Sequence, residues 1–175
     1  MKNTIIIIAL VSIGLLGLMW WGAQNTATVS SFPREYSGPS AAPGQSETVS
    51  ALVASEKLYD FGTISMAKGN VTHTFAVTNP TDKDILVSNL TTSCMCTTAY
   101  IVEGNSKIGP FGMPGMGFAP KANMLIKAGE TRSIDVVYDP NAHGPAGIGP
   151  VDRFVSLTDT NGGNLELEIK AVVTP

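Results

Sequence analysis

The chain has 175 residues, with 11 basic and 14 acidic side chains and a formal net charge of −3. This length accommodates about one domain of ordinary size beside short extensions, which excludes a multidomain enzyme. The chain has no basic run and no net positive charge that would attract a phosphate backbone, so we predict no nucleic-acid partner.

Residues 1–22 predict a membrane anchor or signal segment. The run Ile5–Trp21 carries no charge over 17 residues, which is near the lower limit for a helix that crosses a hydrocarbon core. Lys2 precedes the run and no Lys or Arg follows it until Arg34, so the N-terminus is expected in the cytoplasm. Small residues after Trp21 leave a cleaved signal peptide open as an alternative. We therefore expect a single-pass protein of the cytoplasmic membrane, with its C-terminal domain in the periplasm or extracellular space.

Residues 23–50 predict a flexible linker. They are rich in Ser, Ala, Thr, Gly and Pro and show neither helical nor strand periodicity. A disordered linker of this length has a root-mean-square reach of about 30 Å, which is enough to hold a domain away from the lipid surface.

Residues 51–175 predict an all-β domain. Short β-rich runs alternate with turn signals, which is typical of an immunoglobulin-like antiparallel β-sandwich of about seven strands. No amphipathic helix of three turns is visible after the N-terminal segment, which disfavours a parallel α/β enzyme fold. We predict strands at residues 57–63, 70–79, 84–92, 97–102, 131–138, 152–159 and 164–173.

Two of these runs show the period of two that a half-buried strand requires. Val71, His73, Phe75 and Val77 are predicted to share one face, with threonines and an alanine on the other. His73 is therefore expected to be a partly exposed structural histidine. In the run 164–173, leucine and isoleucine alternate in the same way with charged residues.

Four segments in order resemble the bacterial family known as domain of unknown function 1573. They are Tyr59–Ile64, His73–Asn79, Ser93–Thr97 and Lys127–Glu130. The resemblance implies a β-sandwich related to the immunoglobulin-like ASH and HYDIN modules, usually exported and without established catalytic activity. The family motif typically reads Cys-Gly-Cys-Thr, whereas Met95 occupies the glycine position here.

Cys94 and Cys96 are the two cysteines of the chain, and their expected compartment is one in which thiols oxidise. A Cys-x-Cys pair cannot join distant strands. Three interpretations remain open: a local or labile disulfide with a structural or redox role, two unmodified thiols packed at a strand end, or a soft-metal site that selects Cu(I).

The copper interpretation gains support from other potential ligands. Met95 lies between the two cysteines, and Met113 and Met116 lie three residues apart in a Gly/Pro-rich loop. His143, in a second Gly/Pro-rich loop, has an imidazole that can bind a metal ion. The alternative for the methionines is an apolar loop that covers the end of the sandwich or contacts a partner.

We predict that the protein is not an enzyme. Two histidines and no Gly-x-Ser-x-Gly motif leave no credible catalytic triad, and the glycine-rich runs lack the residues that would make a phosphate loop. The favoured function is a membrane-tethered module that binds an envelope or surface protein. The alternative is a Cu(I)-binding or copper-handling protein that uses Cys94, Cys96, Met95, Met113, Met116 and His143, with a thiol redox partner as the third hypothesis.

Overall fold

The computed structural model describes residues 48–116 and 120–175, which form two β-sheets packed face to face. The predicted anchor, and the predicted linker up to residue 47, lie outside the described residues. Among the described residues, no helix is long and apolar enough to cross a lipid bilayer.

The first sheet has the strand order β1-β11-β10-β5-β8, and β3 also pairs with β11. β1 and β3 both run parallel to β11, beside successive stretches of its sequence, whereas β10 pairs with it antiparallel. The strands are β1 (Thr48–Val49), β3 (Leu58–Ser65), β5 (Ile85–Thr92), β8 (Met124–Ile126), β10 (Gly149–Asp159) and β11 (Gly163–Thr174).

The second sheet has the strand order β2-β4-β9-β6-β7, and each neighbouring pair is antiparallel. Its strands are β2 (Val53–Ala54), β4 (Val71–Thr78), β6 (Thr97–Glu103), β7 (Ser106–Phe111) and β9 (Thr131–Tyr138). Short 3-10 helices at Met66–Lys68 and Gly144–Gly147 complete the regular structure of the described residues.

The prediction of an all-β sandwich is confirmed, and all seven predicted strands are present within a few residues of the expected bounds. The antiparallel arrangement of about seven strands is confirmed only in part, because the described residues form eleven strands and the first sheet is mixed. The chain enters the first sheet at β1, crosses to the second at β2 and returns at β3, so β1 and β3 lie parallel to β11. Four strands were not predicted. β1, β2 and β8 are too short to show alternation, and β7 is interrupted by Gly109 and Pro110.

The core lies between the two sheets and consists of the apolar side of each alternating strand. Phe75 and Val77 are fully buried, as the alternation in β4 predicts. Burial of one such side chain stabilises the fold by about 1.5–3 kcal/mol. Other fully buried side chains include Ile101, Ile134, Val136, Leu157 and Leu167.

Asn79 fixes the turn that follows β4. Its side chain is fully buried, and its Nδ2 donates to the carbonyls of Lys83, at 2.7 Å, and Ile126, at 2.9 Å. Its Oδ1 accepts hydrogen bonds from the backbone N–H and the hydroxyl of Thr81. The one side chain therefore satisfies polar groups of the turn and of β8 that would otherwise be buried without partners.

Candidate functional site

Cys94 and Cys96 lie in the short connection between β5 and β6. The backbone N–H of Thr97 donates to the carbonyl of Cys94 at 3.1 Å, which closes a tight turn. The buried hydroxyl of Thr92 lies 3.0 Å from the carbonyl oxygen of Cys94 and 2.9 Å from that of Thr97. Hydrogen bonds among its own residues and from Thr92 therefore fix the turn between the end of β5 and the start of β6.

Residues of β10 and of the segment just after β9 also form hydrogen bonds with this turn. Ser93 and Phe154 of β10 exchange hydrogen bonds, with the Ser93 N–H donating to the Phe154 carbonyl and the Ser93 hydroxyl accepting from the Phe154 N–H, both at 2.9 Å. The N–H of Asp139, just after β9, donates to the carbonyl of Cys96 at 2.8 Å. The cysteines therefore lie where the ends of β5, β6 and β9 meet the middle of β10.

The sulfur atoms of Cys94 and Cys96 lie at disulfide-bonding distance, and their Cα atoms are 5.3 Å apart, within the usual range for a disulfide. Of the three sequence-based interpretations, the structure has the local disulfide. The two sulfurs differ in access, because Cys96 is 2% exposed whereas Cys94 is half-buried. Cys94 also accepts a hydrogen bond from the backbone N–H of Cys96, with an N–Sγ distance of 3.3 Å.

His143 lies beside the more accessible sulfur. Its Nε2 is 3.2 Å from Cys94 Sγ, although the two residues are 49 positions apart in the chain. The loop that carries it begins with a turn in which the Asp139 carboxylate accepts from the N–H of Asn141 at 2.8 Å. The Asn141 side chain also donates to the carbonyl of Met66, at 2.8 Å. These contacts hold the exposed imidazole against the cysteine turn, residues 94–97, which connects β5 to β6.

Arg153 of β10 contacts the buried sulfur. Its Nε donates to Cys96 Sγ at 3.2 Å, and its guanidinium also donates to the carbonyl of Asp152 at 2.7 Å. Burial raises the pKa of the nearby Tyr138 hydroxyl, an effect that the positive charge of Arg153 partly opposes. Each sulfur therefore has its own nitrogen neighbour, a guanidinium for Cys96 and an imidazole for Cys94. The sequence alone does not indicate Arg153, because 57 residues separate it from Cys96.

Cys94, Cys96 and His143 each offer one metal-binding atom, and these three atoms lie within 4.8 Å of one another. Two thiolates and an imidazole are soft ligands of the kind that Cu(I) prefers. The structure thus brings together three of the six residues that the sequence indicated as metal ligands. The cationic Arg153 beside Cys96 is an unfavourable neighbour for a metal cation.

The other three residues, Met95, Met113 and Met116, line an open pocket of about 280 Å³. Met95 is 52% exposed and Met116 is 56% exposed. Thr97, Thr98, Pro110 and Gly112 complete the lining, so the pocket lies at the start of β6 and the end of β7. The three thioethers therefore share one apolar depression, which the sulfurs of the cysteine turn do not line.

His73 is part of an aromatic stack on β3 and β4. Its ring lies parallel to that of Tyr59, with centroids 3.5 Å apart, and meets Phe75 edge-on at 4.7 Å. Its Nε2 lies 2.7 Å from a carboxylate oxygen of Glu56. These contacts agree with the structural role that the strand pattern predicts for His73.

The fold and the site define an all-β, two-sheet domain that carries a Cys-x-Cys disulfide beside a methionine-lined pocket. Residues 52–123 match the model of the family described as DUF1573, protein of unknown function, which confirms the resemblance seen in the sequence. No curated protein matches the chain.

Several solved structures match the chain. A protein of unknown function from Porphyromonas gingivalis W83 matches with 13% identity and a TM-score of 0.51, covering 74% of this chain and 50% of that one. The chain thus spans about half the length of that protein. The ASH/PapD-like domain 7 of human CEP192 matches with 11% identity and a TM-score of 0.43, covering 81% and 98%. The Pseudomonas aeruginosa CupB2 chaperone matches with 12% identity and a TM-score of 0.36, covering 69% and 55%. At 13% identity the likeness to the Porphyromonas gingivalis protein concerns the fold alone.

Proposed function

We propose that the protein is a membrane-tethered module that binds another protein of the cell envelope and has no catalytic activity of its own. The uncharged run Ile5–Trp21 and the linker after it support an anchored, exported domain. The N-terminus lies in the cytoplasm, and the sandwich lies in the periplasm or extracellular space.

The observation that carries this proposal is the methionine-lined pocket at the end of β7. Exposed thioethers are adaptable apolar groups that suit contact with a partner side chain. The pocket lies at one end of β7, which is the last strand of its sheet among the described residues. Ile108 of β7 is itself 44% exposed.

An edge strand beside an apolar pocket fits an extended peptide segment. Such a segment adds to the sheet through backbone hydrogen bonds, and a pocket gives specificity by accepting one side chain. The partner is therefore an envelope protein that presents an extended segment with an apolar side chain, which enters between Met95, Met113 and Met116.

Photo-crosslinking in the native cells tests this surface. The replacement Ile108→p-benzoylphenylalanine is expected to give one discrete adduct that disappears when Met113→Gln and Met116→Gln are added. The matched control is the same photo-crosslinker at Val172, which is 46% exposed on β11 in the other sheet. Equal adducts from both positions, or an Ile108 adduct that survives the methionine changes, would contradict the proposal.

Cu(I) binding is a second candidate function, because the three potential ligand atoms of Cys94, Cys96 and His143 lie within 4.8 Å of one another. These residues would hold the ion once the disulfide is reduced. An ion that binds only the folded state raises the melting temperature by mass action.

The two candidates are separated by melting curves of the full chain under reducing conditions, with and without Cu(I). We expect no large shift, because the Arg153 guanidinium opposes a cation at Cys96. A shift of many degrees that is lost in the Cys94→Ser, Cys96→Ser double variant and reduced by His143→Asn would favour copper binding instead.

A further inference from the structure

The cysteine turn has an asymmetry that a purely structural disulfide does not need. Cys94 is half-buried, whereas Cys96 is 2% exposed. An incoming thiolate therefore has readier access to Cys94 than to Cys96. Which sulfur is attacked, and how well the other one leaves, are two of the factors that set the rate of thiol–disulfide exchange.

The buried sulfur is also the one whose neighbour stabilises negative charge. Arg153 Nε donates to Cys96 Sγ at 3.2 Å, and a hydrogen bond from a charged donor to an anion is about twice as strong as one between neutral groups. Arg153 lies on β10, which pairs with β11 over ten consecutive residue pairs, Arg153 with Ile169 among them. The donor is therefore already in place before any charge develops on the sulfur.

We propose that the Cys94–Cys96 disulfide is a thiol–disulfide exchange site that accepts two electrons from a protein dithiol. The first partner thiolate attacks Cys94 Sγ, the Cys94–Cys96 bond breaks, and its electron pair leaves on Cys96 as a thiolate beside Arg153. The partner and Cys94 are then joined by a mixed disulfide. This exchange consumes one disulfide for each partner dithiol and is not a catalytic turnover; it goes beyond the proposed interaction module and does not depend on it.

The second step releases the partner. Its second thiolate attacks its own mixed-disulfide sulfur, and Cys94 leaves as a thiolate that accepts a hydrogen bond from the Cys96 N–H and has His143 Nε2 3.2 Å away. The partner ends as a disulfide and Cys94 and Cys96 as two reduced sulfurs, so two electrons have moved. The two protons of the partner thiols pass to solvent or to the reduced cysteines.

Single-cysteine variants of the full chain test whether a partner reaches Cys94 more readily than Cys96, as the first step requires. The chain has two cysteines, so each variant retains one thiol. With glutathione disulfide as the probe, Cys94 in the Cys96→Ser variant is expected to form the mixed disulfide about tenfold faster or more than Cys96 in the Cys94→Ser variant. Equal rates, or faster reaction at Cys96, would overturn the proposal.

Arg153 is a positioning residue in this proposal, and its test is the rate of disulfide reduction by dithiothreitol. Arg153→Met retains the aliphatic stem and removes the donor, so reduction is expected to slow about fivefold or more. The matched control is Arg132→Met, a partly exposed arginine paired with Glu103 and Glu130, which is expected to leave the rate unchanged. Near-ultraviolet circular dichroism establishes that each variant is folded.

If Arg153→Met does not fold, Arg153→Gln replaces it, and the same slowing is expected. Reduction at the parental rate in a folded Arg153 variant would show that the guanidinium has no role in exchange. The rate of disulfide reduction tests the exchange site, and the Cu(I)-dependent melting shift tests the copper site. Either proposal can therefore fail without the other.

Discussion

Lys107 Nζ lies 2.6 Å from Asp135 Oδ2, although the whole of β6 separates their two strands. The lysine extends over β6, where its Nζ is 5.9 Å from the centroid of the Tyr100 ring, and Tyr100 is the residue paired with Asp135. Asp135 also accepts a hydrogen bond from the hydroxyl of Thr74 at 2.5 Å. The ion pair thus connects edge strand β7 to the centre of its sheet.

Replacing Asp135 with Asn is expected to lower the free energy of unfolding by about 1.5–3 kcal/mol, because a buried, charge-assisted set of hydrogen bonds is lost. Chemical denaturation at neutral pH measures the difference. Asp82→Asn, in the exposed turn after β4, is the control and is expected to have little effect. Equal losses in the two variants would contradict a special role for the ion pair.

The same carboxyl predicts a pH dependence. Burial alone raises the pKa of Asp135, but the hydrogen bonds from Lys107 and Thr74 and the charge of Lys107 outweigh it and bring the pKa below its usual 3.8. A carboxyl whose pKa is lower in the folded state contributes stability that is complete above the unfolded pKa. That stability is lost as the pH falls from about 3.8 through the folded pKa. Unfolding curves between pH 5 and pH 2 are expected to show a steeper loss for the parent than for Asp135→Asn, and parallel curves would refute this.

Asn79→Ala is expected to destabilise the domain by about 2–4 kcal/mol, since several buried polar groups lose their partners at once. The control is Asn89→Ala on an exposed position of β5, whose side chain donates to Ser88 at 3.2 Å. The measurement is the midpoint of chemical denaturation. A loss under about 0.5 kcal/mol at Asn79 would mean that water replaces the amide without cost.

Gly163 begins β11 in a position with no room for a side chain. A Cβ there would lie 2.8 Å from Ser50 Cα and would overlap the Asp159 carboxylate, which accepts from the Gly163 N–H at 2.9 Å. Gly163→Ala is therefore expected to cost about 1–3 kcal/mol. Gly112→Ala is the control, because no atom lies within 4 Å of its Cβ position. Similar thermal melting points for the two variants would contradict the steric argument.

The cysteine pair is expected to contribute little to stability. A disulfide that closes so short a loop removes about 1–2 kcal/mol of unfolded-state entropy at most. The Cys94→Ser, Cys96→Ser double variant is expected to melt only a few degrees below the oxidised parent. A loss of cooperative melting would show that the pair is essential for folding.

The proposed membrane tether predicts how the full chain fractionates. The run Ile5–Trp21 should keep it in the membrane pellet after salt and carbonate washing. A variant that lacks residues 2–22 is the control and is expected to leave the pellet. Recovery of a processed, soluble form of the full chain would establish the signal-peptide alternative.

The strand pattern allowed the sandwich to be predicted because alternation is a local property. The alternation of Phe75 and Val77 with polar neighbours identifies β4, and the leucines of β11 do the same for that strand. β1, β2 and β8 have two or three residues each, which is too few for a period of two to be recognised, so their existence depends on pairing with strands that are distant in sequence.

The candidate site likewise has one part that the sequence predicts and another that depends on the tertiary structure. Cys94 and Cys96 are adjacent enough in sequence for a local disulfide to be one of the interpretations drawn from spacing alone. The contact of His143 with Cys94 and of Arg153 with Cys96 depends on the loop after β9 and the middle of β10 meeting the β5–β6 turn. Likewise, Met95 meets Met113 and Met116 only because β6 and β7 pair. Strand order and register decide these contacts, and both are set by the packing of the whole core and not by any local pattern in the sequence.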